Sequence, residues 1–217
     1  MSGDDWHETR APGTEEAAPE PLPVIIKELN SISKQTEALE ILQQITRIEK
    51  RTFPTSEALP FGAELWRKKP NTSVIYAELQ REEDQGGEDQ QGQAEKKRQK
   101  KKKGVMVKDK DKDRKTTARE QAGRVIGYAV TVCMRDTVLL HKLCVVEGFR
   151  GRGLGRLMVQ QVIAQRQAQG PGRVVLWVDE ARRAARRVYE YSGFEEIERV
   201  EDYYGPGRRG IKMQLVV

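Results

Sequence analysis

Hydrophobic positions along this chain change period at regular intervals, and the changes mark out its elements. Pro23-Val24-Ile25-Ile26-Lys27-Glu28-Leu29 is a short apolar run and reads as a strand. Ser31 or Ser33 offers a cap for a helix with the apolar stripe Ala38, Ile41, Leu42, Ile45 and Ile48, ended by Phe53-Pro54. A second short helix is expected over Ser56 to Lys68, stopping before Pro70, and Ser73 to Leu79 returns to the strand pattern. Arg124 to Met134 and Val138 to Val146 are apolar runs joined by Arg135-Asp136, the spacing of an antiparallel pair. An amphipathic segment starts near Gly153, with Leu154, Leu157, Met158, Val162 and Ile163 at helical spacing; it runs to about Gln169, before Gly170-Pro171-Gly172. Arg173 to Val178 reads as a strand. Ala181, Ala184, Ala185 and Val188 give a small-residue helix face closed by Gly193. Phe194 starts another strand, and Ile211, Met213, Leu215 and Val217 alternate in a last one. The predicted order is β-α-α-β-β-β-α-β-α-β-β.

Two stretches carry no such period. Residues 1–22 are rich in Glu, Ala, Gly and Pro and read as a disordered tail. Residues 81–119 begin with Arg81-Glu82-Glu83-Asp84, pass through Gln and Gly, and become a Lys/Arg run. They read as a disordered charged insertion in a strand-to-strand loop, interrupting one domain over 23–217. The net charge of +6 belongs to that insertion, because Lys96–Lys103 places seven positive charges in eight positions. The rest of the chain is close to neutral, so no basic domain face is implied. No apolar run reaches the ~18 residues of a membrane span, and Met1-Ser2-Gly3-Asp4-Asp5 does not read as a secretory signal. Cys133 and Cys144 sit in apolar runs and read as reduced core residues. An intracellular protein is expected, cytoplasmic and/or nuclear if Lys96–Lys103 acts as a nuclear signal.

The densest chemistry lies in Cys144-Val145-Val146-Glu147-Gly148-Phe149-Arg150-Gly151-Arg152-Gly153-Leu154-Gly155-Arg156. An apolar strand ends, a Gly- and Arg-rich turn follows, and a helix begins. Unpaired N–H groups and the positive end of the helix dipole meet there, so the turn reads as a pyrophosphate cradle. The dinucleotide pattern G-x-G-x-x-G fails, since its third glycine would fall on Arg156 or Met158. The P-loop fails too, because Gly155 is followed by Arg156-Leu157. What fits is R-x-x-G-x-G, as Arg150-Gly151-Arg152-Gly153-Leu154-Gly155.

In this the chain resembles the GCN5-related N-acetyltransferase (GNAT) superfamily. Leu176-x-Val178, Ala185, Tyr189 and Gly193-Phe194 are similar to that family's second motif, with Arg182 in place of a common asparagine. The resemblance implies an α/β (α+β) fold, with a mixed, mostly antiparallel sheet of about seven strands flanked by about four helices. It implies acetyl-CoA as co-substrate and no metal, with Cys144, Val145, Val146, Arg150, Gly151, Arg152, Gly153, Leu154, Gly155, Arg156 and Tyr189 binding it. A strand N–H near Cys144 or Val145 would hold the oxyanion, and Tyr189 would protonate the leaving thiolate. His141 is the expected general base, by its similarity in position to a catalytic histidine of arylalkylamine N-acetyltransferases. Glu147, Asp179 and Glu180 are alternatives. In many protein N-terminal acetyltransferases an acidic or histidine base lies on the next strand, where this chain has Trp177. Tyr203 and Tyr204, in a Tyr-rich loop like that of peptide acetyltransferases, and Phe53 opposite them would contact the acceptor. The expected acceptor is an amine of a protein or peptide, or alternatively a small-molecule amine. A nucleic-acid-associated binding protein would rest on Lys96–Lys103, Arg150–Arg156 and Gly207-Arg208-Arg209-Gly210. These runs carry no interleaved aromatics and no recognition module, so no specific nucleic acid and no membrane partner is expected.

Overall fold

A computed structural model describes residues 23–67, 69–80 and 123–217. The tail expected over 1–22 and the insertion expected over 81–119 lie outside the described residues. The chain forms β1 (Val24–Glu28), α1 (Gln35–Thr52), β2 (Thr72–Leu79), β3 (Val125–Met134) and β4 (Thr137–Val145), then α2 (Leu154–Gln167), β5 (Arg173–Asp179), α3 (Arg183–Tyr191), β6 (Glu195–Val200) and β7 (Gly210–Val216). The strands make one seven-stranded sheet in the order β1-β2-β3-β4-β5-β7-β6. Every neighbouring pair is antiparallel except β4 with β5, which is parallel.

One predicted helix does not form. Ser56 to Arg67 runs through turns and irregular backbone, with a single 3-10 turn at Ala63–Leu65. Pro60 lies mid-segment, where it removes a helical N–H and clashes with the preceding turn, and Gly62 follows. Neither serine caps α1. Ser31 donates its hydroxyl to Glu28 O at 2.7 Å, and the helix starts after Lys34 with no side-chain cap.

Two apolar clusters sandwich the sheet. On one face Ala38, Ile41, Leu42 and Ile45 of α1 pack on Val74, Tyr76, Tyr128, Val130 and Cys144. Ile48 is only half-buried, and Glu49 takes the inward position beside it. On the other face Leu154, Met158, Val159 and Val162 of α2 pack with Tyr189 of α3 on Ile75, Ala77, Ile126 and Ala129. Leu157, expected on that stripe, is exposed, and Val159 replaces it. Gly127 makes the close approach possible: a Cβ there would lie 3.0 Å from Cys144 O and 3.1 Å from Met158 Sδ. The start of α2 is therefore seated directly against the strands that carry the site.

Candidate active site

The site begins with a parting of two strands. β4 pairs with β5 only from Thr137 with Arg173 to Leu140 with Leu176. Beyond that point β5 pairs with β7 through Asp179, while β4 continues to Val145 along β3 alone. The parting coincides with a bulge. β3 pairs Thr131 with Leu140 but Val130 with Lys142, so His141 is the extra residue. The bulge reverses the alternation of β4: Val138 and Leu140 face α2 before it, Leu143 and Val145 after it, while Cys144 turns to α1. Val146 N donates to Ile126 O at 2.9 Å, so the neighbouring Val145, opposite Gly127, occupies a non-bonded position. Its N–H and C=O point away from β3 toward the gap, and Arg150 Nε donates to that carbonyl at 2.9 Å.

The turn after β4 has the form its sequence predicts. A 3-10 turn at Glu147–Phe149 leads into Gly151 at φ 74° and Gly153 at φ 78°, left-handed values that favour glycine. A Cβ at either would meet nothing within 4 Å. Among the described residues the amides of Gly151 to Arg156 find no acceptor, and the next bond is Leu157 N to Gly153 O at 3.1 Å. The first turn of α2 holds no acidic residue, and Arg152 and Arg156 are exposed beside it. A row of donors, the helix dipole and two guanidinium groups thus converge on open space. This suits a diphosphate and leaves a carboxylate side chain no role there.

Tyr189 is 7% exposed and packs against Phe194 with ring centroids 5.9 Å apart. Burial pushes its pKa up to about 12, so the hydroxyl keeps its proton at neutral pH. His141 is exposed, yet partial desolvation and then Lys142 beside it hold its pKa below the ordinary histidine value, with Glu49 opposing. Its imidazole is neutral at pH 7 and able to accept a proton. Burial raises the Cys144 pKa, so this residue is a neutral thiol packed under α1.

Two ionic networks stand beside the gap. Glu49 is 1% exposed; it accepts from Leu59 N at 2.9 Å and from the Tyr128 hydroxyl, and it pairs with Lys142 Nζ at 3.1 Å. Lys142 also donates to Glu57 O at 2.7 Å and lies 3.6 Å from the centre of the Phe53 ring. The second network runs over the mouth of the gap. Arg208 donates to Asp179 Oδ2 at 2.5 and 2.9 Å and to Glu57 Oε1 at 2.7 Å, and Arg182 donates to Glu57 Oε2 at 2.7 Å. Burial would raise the Asp179 pKa, but the Ala181 N–H and Arg208 outweigh it and hold the carboxyl below its usual range. Glu180 lies 3.4 Å from both Arg199 and Arg209, while Glu147 is exposed.

Other predicted residues fall as follows. Tyr203 stacks on Trp177 at 4.2 Å and is 46% exposed. A Cβ on Gly210 would lie 2.6 Å from the Tyr203 ring, which rests on that bare backbone. Tyr204 meets Tyr203 edge to face at 4.9 Å, and burial raises its pKa first, with Tyr203 adding to it. Phe53, expected as an acceptor wall, lies in the core cluster on the α1 face, beneath Lys142 and Arg182. Sequence reasoning missed Glu49, Lys142, Glu57 and Arg208. One signal was present: Leu42, Ile45 and Glu49 follow helical spacing, which puts a carboxylate on the buried face.

Comparison with known proteins finds relatives in sequence and in fold. The sequence pattern of the acetyltransferase (GNAT) domain matches residues 83–217. The chain is 32% identical over 87 residues to the N-acetylaspartate synthetase of Danio rerio, covering 39% of this chain and 31% of that protein. It is 30% identical over 81 residues to the ribosomal protein bS18-alanine N-acetyltransferase of Haemophilus influenzae, covering 37% of this chain and 55% of that one. The matches therefore span from about a third to just over half the length of these relatives. Among solved structures, the ribosomal-protein-S18-alanine N-acetyltransferase of Escherichia coli aligns with a TM-score of 0.55 and 17% identity, over 89% of this chain and 94% of that one. The NatC complex bound to Gag peptide and CoA aligns with a TM-score of 0.56 and 16% identity, over 90% of this chain and 99% of that one. At such identities these two structures speak for the fold.

Proposed function

The chain belongs to the GNAT family of N-acetyltransferases, and from that premise we propose that it transfers the acetyl group of acetyl-CoA to a primary amine of a protein or peptide. The observation that carries this reading is the parting of β4 from β5 after Leu140, beside the uncapped start of α2. The amides of Gly151 to Arg156, with Arg152 and Arg156, fit the pyrophosphate. The gap beside Val145 would take the thioester arm.

The chemistry forms a C–N bond and breaks a C–S bond. The acceptor amine must be neutral to attack, yet a lysine-type amine has a reference pKa of about 10.4. It therefore surrenders a proton to a base, for which neutral His141 at the bulge is suited. The Val145 N–H faces the gap and would hold the oxygen that gains charge. Tyr189 keeps its proton at neutral pH and would give it to the departing sulfur. Asp179 and Glu180 are weaker bases for this task, since arginines already occupy them.

Two relatives support a protein or peptide acceptor: one is named for the alanine of a ribosomal protein, and another was solved with a bound peptide. The loop of Tyr203 and Tyr204 and the loop of Glu57 meet at Arg208 and would together hold the peptide backbone. A small-amine acceptor is the second reading. It is favoured by the bridge from Arg182 and Arg208 to Glu57, which braces the mouth against wide openings. Mass-spectrometric acetyl transfer to peptide N-termini, lysine peptides and small amines separates the two. Transfer to small amines alone would replace the peptide reading, and no transfer to any acceptor at saturating acetyl-CoA would overturn both.

A further inference from the structure

A second groove lies on the α1 side of the sheet, outside the gap between β4 and β5. Its volume is about 880 Å³, and it runs between α1 and the ends of β3 and β4. Arg47 and Arg51 of α1 line one wall, and Arg124 and Arg150 line the other. All four are exposed, and none lies within 4.0 Å of a carboxylate among the described residues. Glu40 and Glu147 line the same groove without closing a pair. The contrast with the mouth is direct, since Arg182 and Arg208 there are each held by acidic side chains.

We propose that this groove is a docking site for an acidic, extended segment of the protein that carries the acetylated amine, a proposal that rests on the protein-acceptor reading. Glu40 to Arg51 spans eleven helical steps, or ~16 Å at 1.5 Å per residue, which matches about five residues of extended chain. Arg47 and Arg51 stand one turn, ~6 Å, apart at one end of that wall, with Arg124 and Arg150 across from them, so the segment's carboxylates would gather there, where guanidinium groups form paired hydrogen bonds. Single-stranded nucleic acid fits less well, because no aromatic side chain lines the groove to stack on a base. The groove reaches Thr52, the last residue of α1, and the loop that follows carries Glu57 at the mouth. An acceptor could therefore present its amine to the gap and its acidic segment to the arginines at once.

The test uses the full chain and a fluorescein-labelled Asp/Glu hexapeptide, read by polarisation at low and moderate salt. The wild type should bind it with an affinity that falls as salt rises. Arg47→Glu/Arg51→Glu should weaken binding at least tenfold while CoA affinity, read by calorimetry, stays unchanged. Arg124→Glu alone should weaken peptide binding by a smaller factor. Equal peptide binding by wild type and variants overturns the proposal. So does a variant that loses affinity for CoA but not for dephospho-CoA, which would make the groove a seat for the 3′-phosphate. Stronger competition by an oligonucleotide than by the hexapeptide at equal charge would also overturn it, in favour of nucleic acid. Because peptide binding is read without turnover, a chain that binds the hexapeptide yet acetylates nothing would fail only the catalytic reading.

Discussion

Lys142→Met probes how the strand beside the gap is held. The substitution keeps the length of the side chain and its contact with the Phe53 ring but removes the ammonium. Glu49, 1% exposed, would then keep only Leu59 N and the Tyr128 hydroxyl as partners. Removing one member of a buried pair costs about 3–5 kcal/mol, and the two surviving hydrogen bonds place this case near ~3 kcal/mol. At about 2–4 °C per kcal/mol for a chain of this size, Tm should fall by roughly 6–12 °C. Adding Glu49→Gln removes the stranded charge, so the double variant should recover about 2 kcal/mol of that loss. Urea unfolding of wild type, both single variants and the double variant gives the coupling, provided the slopes agree. A single-variant cost below about 1 kcal/mol, or a double variant no better than the sum of its parts, would refute the reasoning.

Other expectations address the chemistry. Gly155 tolerates a Cβ, whose nearest contacts would be 3.9 and 4.0 Å away; Gly155→Asp should therefore fold, yet lose CoA affinity by more than about tenfold in calorimetry because its carboxylate repels phosphate. Tyr189→Phe should lower kcat, by about 10²–10⁴-fold if the hydroxyl is the general acid, with acetyl-CoA affinity unchanged. The neutral form of His141 is favoured in the folded protein, so wild-type kcat/KM should fall only as pH drops below the usual histidine value of about 6.5; His141→Ala should abolish that limb, and a variant with the wild-type profile and rate would remove the histidine from the mechanism. Replacing residues 81–119 by a short Gly/Ser linker should preserve kcat, and a folded variant inactive on every acceptor would contradict the reading of that segment as dispensable.

The sequence disclosed the strand–turn–helix at Arg150–Gly155 because all its determinants are local: a strand end, glycines and an uncapped helix start. Most of the sheet is legible for a similar reason, since every strand but the charged, exposed edge strand β6 announces itself by its own apolar positions. What escaped depends on partners far apart in the chain. Lys142 sits in an apolar strand and Glu49 on an apolar helix face, and each looks misplaced until the fold brings them to 3.1 Å. Glu57 and Arg208 meet across 151 positions of sequence. The family resemblance puts Phe53 on the acceptor wall, and only the fold reveals Lys142 and Arg182 lying over its ring. The helix predicted over Ser56–Lys68 fails for a local reason, since Pro60 interrupts it.

The join between β2 and β3 gives the protein a modular grammar. Gly123 N donates to Leu79 O at 3.3 Å, so the chain leaves and re-enters the described fold at almost one point. The segment before that point supplies β1, α1, β2, Glu49 and Glu57. The segment after it supplies the anion turn, the parted strands, Tyr189 and His141. The two segments meet again at the mouth, where Arg208 of the later one holds Glu57 of the earlier. Whatever is spliced between Leu79 and Gly123, a tag or a foreign domain with neighbouring termini, need not stretch the sheet. Two separately encoded pieces divided there would be the natural first attempt at a reconstituted split enzyme.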